Sequence, residues 1–389
     1  MKLIENYCLK MDLSTDDPYD IWKTVLGVKV KDWFNRNRLL AGGPALIMTL
    51  YDQFINNEVR IGYLKQEYPI VRALAAQSLL NIYSISKNEQ YLKYSIIHLD
   101  WLVENGSKGY SGYCWGLGFK WAVYKGVIYE ANTPHSTHTP YALEAFDLYT
   151  RITKDLRYEN VIKSCFEFYE KDLQILCENE DSMAISYGPF KDRPVNNAVS
   201  YTLFAYSIFL NYFPEKEDYI KNKMIKFFRF LVNNQLENGA WYYAPMESRS
   251  FIDCFHSCII IKNLHKARTR VNNLEKSDTI IKKGYQYILS AFYNEKMRLF
   301  KRFTKSNKFS MVNYDLYDNA EVLALSKLMG DVITSESLEK RIAEVFVKNK
   351  NEIYSSINII GGLINKNTLR WAVMPYLFSL SIQSKIPDV

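Results

Sequence analysis

From residue 69 onward, hydrophobic and polar positions recur with the period of helices, segment after segment. Residues 69–84 carry Ala and Leu on most faces, which predicts a helix buried all round. The next segment sets Tyr91, Tyr94, His98 and Trp101 at i, i+3, i+7 and i+10, a single apolar stripe. Ser86 and Glu89 have capping-box spacing ahead of it, and Asn105-Gly106 ends it. Thr139-Pro140 opens a third helix, with Ala142, Ala145, Phe146 and Tyr149 on its apolar face and residues 157–175 as its partner. Asn196-Asn197 opens the next, and its partner is striped by Met224, Phe227, Phe228 and Leu231. Residues 254–267 pair with 278–293, and 317–329 with 335–349. Arg370-Trp371 opens a last helix reaching about Ser384.

The more apolar helices open near residues 69, 140, 197, 254, 318 and 371, at intervals of 71, 57, 57, 64 and 53. Each interval holds two helices and two connections, a repeat in architecture rather than in letters. Six such helices need six partners. Five lie between the openings, and the N-terminal helix supplies the sixth by packing against the last. This predicts an all-α fold, a single-domain (α/α)6 toroid of helical hairpins. Residues 1–68 are its leader and closing helices, and 69–389 its hairpins. An open helical solenoid is the alternative, and it would want capping repeats. Strand signals are few and confined to loops. Ahead of the ring, residues 1–16 read as an irregular leader, and 17–35 hold a short helix opened by Asp16 or Asp17. Gly42-Gly43-Pro44 breaks the chain before a helix over 45–57.

Composition adds limits. Of 389 residues 48% are hydrophobic and 15% aromatic, ample for a core, and the 30 tyrosines suit either a core or a groove for sugar rings. The charge of +7 is mild against 49 basic and 42 acidic residues, and no basic run resembles a nucleic-acid arm. The six cysteines are too sparse for a disulfide scaffold. The opening residues are not expected to form a signal peptide, and no apolar stretch approaches the ~18 residues of a membrane span. The expectation is a soluble cytoplasmic protein.

Several strings resemble a family. Cys114-Trp115-Gly116-Leu117-Gly118-Phe119-Lys120-Trp121 is similar to its Cys-Trp-Gly-x-x-Phe-x-Trp signature. Asn132-Thr133-Pro134, Thr139-Pro140-Tyr141 and Glu144-Ala145 are similar to its next segment. Ser186-Tyr187, Asn196-Asn197, Gly239 to Tyr243 and Asp253 to His256 resemble later blocks. The family is that of bacterial α/α-toroid proteins, six-hairpin glycosidase-like or terpenoid-cyclase-like, often encoded among polysaccharide-biosynthesis genes. The resemblance covers most of residues 69–385 and implies that fold and a link to surface glycans, with no catalytic mechanism attached. Gln235-x-x-x-Gly239-x-Trp241 resembles the structural clasp of terpene cyclases, but one copy and no Asp-x-Asp-Asp motif argue against prenyl cyclisation.

Parallel inner helices bring their N-termini, with partial positive charge and free N–H groups, to one end of the ring. That end suits an anionic oligo- or polysaccharide. Asp253, His256, His135, His138, Tyr187 and Arg370 are the candidate catalytic residues. Trp115, Trp121, Tyr141, Asn196, Asn197, Trp241, Tyr242, Tyr314, Asp315, Asp318 and Trp371 are the candidate sugar-binding residues. His or Tyr can remove a proton beside a carboxylate that Asn or Arg neutralises, as epimerases and lyases require. Hydrolysis needs two facing carboxylates, with Glu130, Asp253, Asp315 and Asp318 available. Against these roles, Asp253 and Asn196 are also good N-caps, and the Trp residues also suit loop packing. No cofactor is expected. Zinc on His135 and His138, with Asp253, Cys254 or His256, is the weaker alternative. A non-catalytic glycan-binding or assembly-partner protein of polysaccharide biosynthesis is the competing class.

Overall fold

The computed structural model describes residues 1–383 apart from Lys125, Asp192, 248–249, 272–273 and 307–309. In chain order the helices are α1 (Lys2–Cys8), α2 (Val25–Arg36), α3 (Arg38–Leu50), α4 (Pro69–Ser86), α5 (Glu89–Glu104), α6 (Thr139–Thr153) and α7 (Glu159–Lys171). There follow α8 (Asn196–Phe209), α9 (Glu217–Asn233), α10 (Cys254–Arg270), α11 (Ser277–Ala291), α12 (Leu316–Leu328), α13 (Val332–Phe346) and α14 (Met374–Ser381). The expected end of the last helix at Ser384 lies outside the described residues.

Helices α4, α6, α8, α10, α12 and α14 each pack on the next, and α14 returns to α4. The chain is therefore an (α/α)6 toroid, and not an open solenoid. Inner helices are apolar all round because both faces meet protein; every residue of α8 is buried. Outer helices bury one stripe: α7 hides Val161, Ile162, Cys165, Phe166, Phe168 and Tyr169 and leaves the rest to water. The buried apolar side chains form one continuous core.

Four local expectations are corrected. Residues 2–8 are not irregular: they form α1, the outer helix that packs on α4 and α14 where the ring meets itself. Gly42-Gly43-Pro44 does not break the chain, since all three lie inside α3. Pro44 removes only the bond to the carbonyl of Leu40, a solvent-facing residue, and Asn37 caps the helix by accepting from the Leu40 N–H at 3.1 Å. Ser86 is the end of α4 rather than a cap. Lys87 turns left-handed at φ 52°, and Asn88 caps α5 through the Gln90 N–H. The strands lie in the connections as expected, but they are more organised than the sequence suggests. Glu352–Asn358 is the centre of a four-stranded antiparallel sheet with Val347–Asn349, Leu363–Lys366 and Val312–Asp315.

Two strands, one in this sheet and one in a separate pair, deliver the site. Strand Ile252–Asp253 pairs with Phe303–Lys305 and runs directly into α10. Strand Val312–Asp315 runs directly into α12. Asp253 and Asp315 therefore both stand where a strand becomes an inner helix.

Candidate functional site

Asp253 occupies the N-cap place of α10, but its carboxylate makes no cap bond. It accepts instead from His256 Nδ1, at 2.7 and 2.9 Å to its two oxygens. An imidazole whose Nδ1–H is held this way keeps Nε2 as its acceptor. The ring lies 3.8 Å from Phe255 and 4.7 Å from Tyr243, centroid to centroid, and is half-buried.

The next inner helix adds two more carboxyls. Asp315 caps α12 through the Tyr317 N–H at 2.8 Å and accepts from Trp371 Nε1 at 2.9 Å. Trp371 stacks on Tyr317 at 4.5 Å with 11° between the planes, and Phe255 and Tyr19 meet it edge-on. Arg302 lies 3.8 Å from Asp315 and donates to the Tyr19 hydroxyl at 2.8 Å. Asp318 accepts the Phe255 N–H at 3.0 Å through one oxygen, while its other oxygen has no protein partner. Burial, then the neighbouring Asp315 charge, pushes the Asp318 carboxyl well above the usual range against the pull of Arg302. It therefore gives up its proton at a higher pH than a free carboxyl does.

On the α6 side, His135 and His138 lie 5.0 Å apart, and Tyr187 is 5.1 Å from His135. Trp121 meets His135 edge-on at 6.2 Å. Burial and the adjoining His138 hold His135 well below the usual imidazole range, and burial and Arg370 do the same to His138. Both are neutral, with Nδ1 lacking a protein partner. Arg370 is paired through Nε with Asp17, and its guanidinium lies 5.4 Å from the Tyr68 ring and 5.7 Å from the Trp371 ring. Deeper down the axis Tyr201 donates to the Tyr141 hydroxyl at 2.6 Å. A cavity of about 20 Å³ there, room for a water, is lined by Tyr141, Tyr201, Lys262 and Glu321 among others.

Several of the buried polar atoms without a protein partner lie at this end of the ring. They include Nδ1 of His135 and His138, Oγ1 of Thr137, Oδ1 of Asn196 and Asn197, Nε of Arg302 and Oδ2 of Asp318. Each such atom costs ~1–3 kcal/mol unless water or a ligand reaches it. A sugar, with a hydroxyl on nearly every carbon, is a ligand of the right chemistry.

Not every expected residue is here. Trp115 and Trp241 are in the core, each donating Nε1–H to a backbone carbonyl, of Leu102 at 2.9 Å and of Leu231 at 2.8 Å. They pin loops and have no face left for a sugar. Asn196 spends its amide N–H on the Tyr242 carbonyl at 2.7 Å, and Tyr242 accepts from Lys305 at 2.7 Å. Tyr314 sits on the strand before Asp315, opposite Ile357. Arg302, Tyr19, Tyr243 and Phe255 join the site without having been expected. Arg302 sits among Lys301 and Lys305 in a connection, where sequence reads an ordinary charged loop. Among the described residues, no group of three or more His, Cys, Asp or Glu is placed to hold a metal ion. No described helix is long and apolar enough to cross a membrane.

No family model matches the chain, and no curated protein is similar to it in sequence. Solved structures share its architecture at low identity. A sugar epimerase from a ruminal bacterium aligns with a TM-score of 0.63 at 13% identity, over 83% of this chain and 89% of its own. The cellobiose 2-epimerase of Bacillus thermoamylovorans gives 0.62 at 11%, over 81% and 87%. An α-mannanase from Bacteroides thetaiotaomicron gives 0.59 at 10%, over 94% and 98%. Such likeness shows a common fold, one that carbohydrate-active enzymes of different chemistry use.

Proposed function

We propose that this chain is a carbohydrate-active enzyme that moves a carbon-bound proton on an anionic sugar, as an epimerase or lyase of a surface polysaccharide or its precursor. The observation that carries the reading is the His256–Asp253 pair, set among buried polar atoms that lack protein partners. Asp253 fixes the tautomer, so His256 Nε2 is the base. The proton lost is the one beside the sugar carboxylate, and Arg302 offsets the charge that develops there. The returning proton comes from a water that neutral His138 holds on the opposite face, and the hydroxide left is neutralised by the His256 imidazolium. A proton returned to the opposite face inverts the carbon, whereas expulsion of the neighbouring oxygen substituent gives the unsaturated lyase product. The epimerases among the solved structures of this fold are consistent with proton movement and do not select the substrate. The link to surface glycans rests on the sequence resemblance alone.

Hydrolysis is the second reading, and Asp318 favours it: a carboxyl with a raised pKa and one unpartnered oxygen is what a general acid needs. Incubation with uronic-acid oligosaccharides and reducing sugars in D2O, followed by proton NMR, separates the readings. Loss of one ring-proton signal is expected, falling by about 10²–10⁴ in His256→Ala. Release of new reducing ends without exchange points to hydrolysis. Saturable glycan binding with neither event marks a non-catalytic module and sinks the proposal.

A further inference from the structure

The hairpin of α2 and α3 stands outside the ring. α2 packs on strand Trp121–Tyr124 and on the 3₁₀ turn Asp20–Lys23, and α3 packs on α2. The polarity of α3 is inverted. Its inward positions are the small Ala41 and Ala45, while Leu39, Leu40, Leu46, Ile47 and Leu50 face water. These outward residues fall at i, i+1, i+7, i+8 and i+11, one continuous stripe. Leu39 is 95% exposed and Ile47 68%. The stripe continues through Phe54 and Ile55, and Val25 and Leu26 expose a second apolar edge at the start of α2. A free surface of this kind is costly in water and marks a contact.

The charges name the partner. No ionisable side chain except tyrosine lies between Leu39 and Tyr51, and the basic residues Lys29, Lys31, Arg36 and Arg38 precede that stretch in α2 and at the head of α3. Asp32 is the one acid among them, and it is engaged with Arg36 at 2.8 Å and with the Gly126 N–H at 3.0 Å. An apolar face beside a cationic edge matches a bilayer whose anionic headgroups surround its acyl chains. A second copy fits less well, because a two-fold contact through this face brings the basic cluster against itself. Spanning is excluded by length: the 13 residues of α3 cover about 20 Å of a hydrocarbon core about 30 Å thick.

We infer that the α2–α3 hairpin docks this protein onto an anionic lipid surface, lying in the interface with Leu39, Leu40, Leu46, Ile47 and Leu50 in the acyl boundary. The inference does not depend on the reaction catalysed. Its consequence for the site is one of position, since α2 is seated on the strand that carries Trp121 at the rim.

Co-sedimentation with phosphatidylcholine vesicles, with and without phosphatidylglycerol, tests it. The whole chain is expected to bind the phosphatidylglycerol vesicles and to leave the neutral ones. Lys29→Ser and Arg38→Ser should each weaken that binding about fivefold. Leu39→Glu/Ile47→Glu should weaken it by more than about tenfold while leaving the thermal midpoint unchanged, because both side chains point into solvent. Absence of binding to phosphatidylglycerol vesicles by the wild-type chain overturns the inference. So does a dimer, seen by light scattering without lipid, that Leu39→Glu/Ile47→Glu dissociates while vesicle binding persists.

Discussion

Asp318 is a carboxyl whose surroundings hold on to its proton, and this has a measurable cost. In the unfolded chain it ionises at the ordinary value of 3.8; in the folded chain burial and Asp315 prevent that. Between those two values the folded state binds the extra proton, so stability falls as pH rises above about 4. Asp318→Asn is the neutral isostere and keeps an oxygen for the Phe255 N–H. It should raise stability at pH 7 by an amount on the order of 1 kcal/mol, and the gain should vanish toward pH 4. Thermal melts of both proteins across that range measure it; a gain that does not shrink with acid shows that the carboxyl is ionised after all. If Asp318 is also the proton donor, the stabilised variant will be inactive. The His256–Asp253 pair was legible in the sequence because three residues at the head of a helix put the two side chains on one face. Arg302 was not, because a cation in a connection has no period to betray which way it points. Trp115 and Trp241 misled for a related reason. Sequence reports an aromatic ring in a loop but not whether its N–H is turned inward to a carbonyl.

At the scale of elements, the loop before α10 is held by a clasp whose letters were readable and whose geometry now explains them. Gln235 donates to the Gly239 and Ile280 carbonyls, both at 3.0 Å, tying the end of α9 to α11. Gly239 adopts φ +94°, and a Cβ there would lie 2.4 Å from the Lys283 carbonyl oxygen. Trp241 then fills the space over Gly284, where an added Cβ would come within 2.7 Å of the indole. Gly239→Ala should therefore destabilise the protein by about 1–3 kcal/mol, through both strain and backbone clash. Trp241→Ala should cost about 3–5 kcal/mol. Urea midpoints at unchanged slope give both values, and a Gly239→Ala midpoint equal to wild type rules the clasp out as a packing device. The repeat of helices was legible for a similar reason: all-round burial and one-stripe burial leave different patterns. The short strands were not, because two to four paired residues in a loop do not establish a period of two. These strands are nevertheless what set Asp253 and Asp315 at the heads of α10 and α12.

For the whole molecule, closure is the step no single hairpin can take, and the chain closes its ring with its first twenty residues. Tyr7 donates to Asn367 at 2.8 Å, and Thr15 is bridged to Gln66 and accepts from the Leu369 N–H at 2.8 Å. His98 of α5 bonds the Cys8 carbonyl at 2.8 Å, while Arg72 of α4 reaches its other nitrogen at 2.9 Å. At the seam, Asp17 is fully buried between Arg370 and Lys23. Burial alone would raise its pKa, but the two cations outweigh it and hold the carboxyl well below 3.8. A depressed carboxyl stabilises above its unfolded value, so this contribution is whole at neutral pH and declines as pH falls below about 4. Asp17→Ala leaves the buried Arg370 without its counter-charge, while Lys23 keeps Asp20 at 2.8 Å, and should cost about 3–5 kcal/mol. Arg370→Ala alone leaves Lys23 with Asp17 and should cost less. The double variant should be more stable than the sum of the single losses implies, because each change removes what the other leaves unpaired. Strict additivity in that cycle, read from urea midpoints at pH 7, means that the ring is closed by apolar packing of α1 on α4 and α14 and not by this ion pair. Arg370 would then be available to a ligand, and the case for it as a site residue would grow.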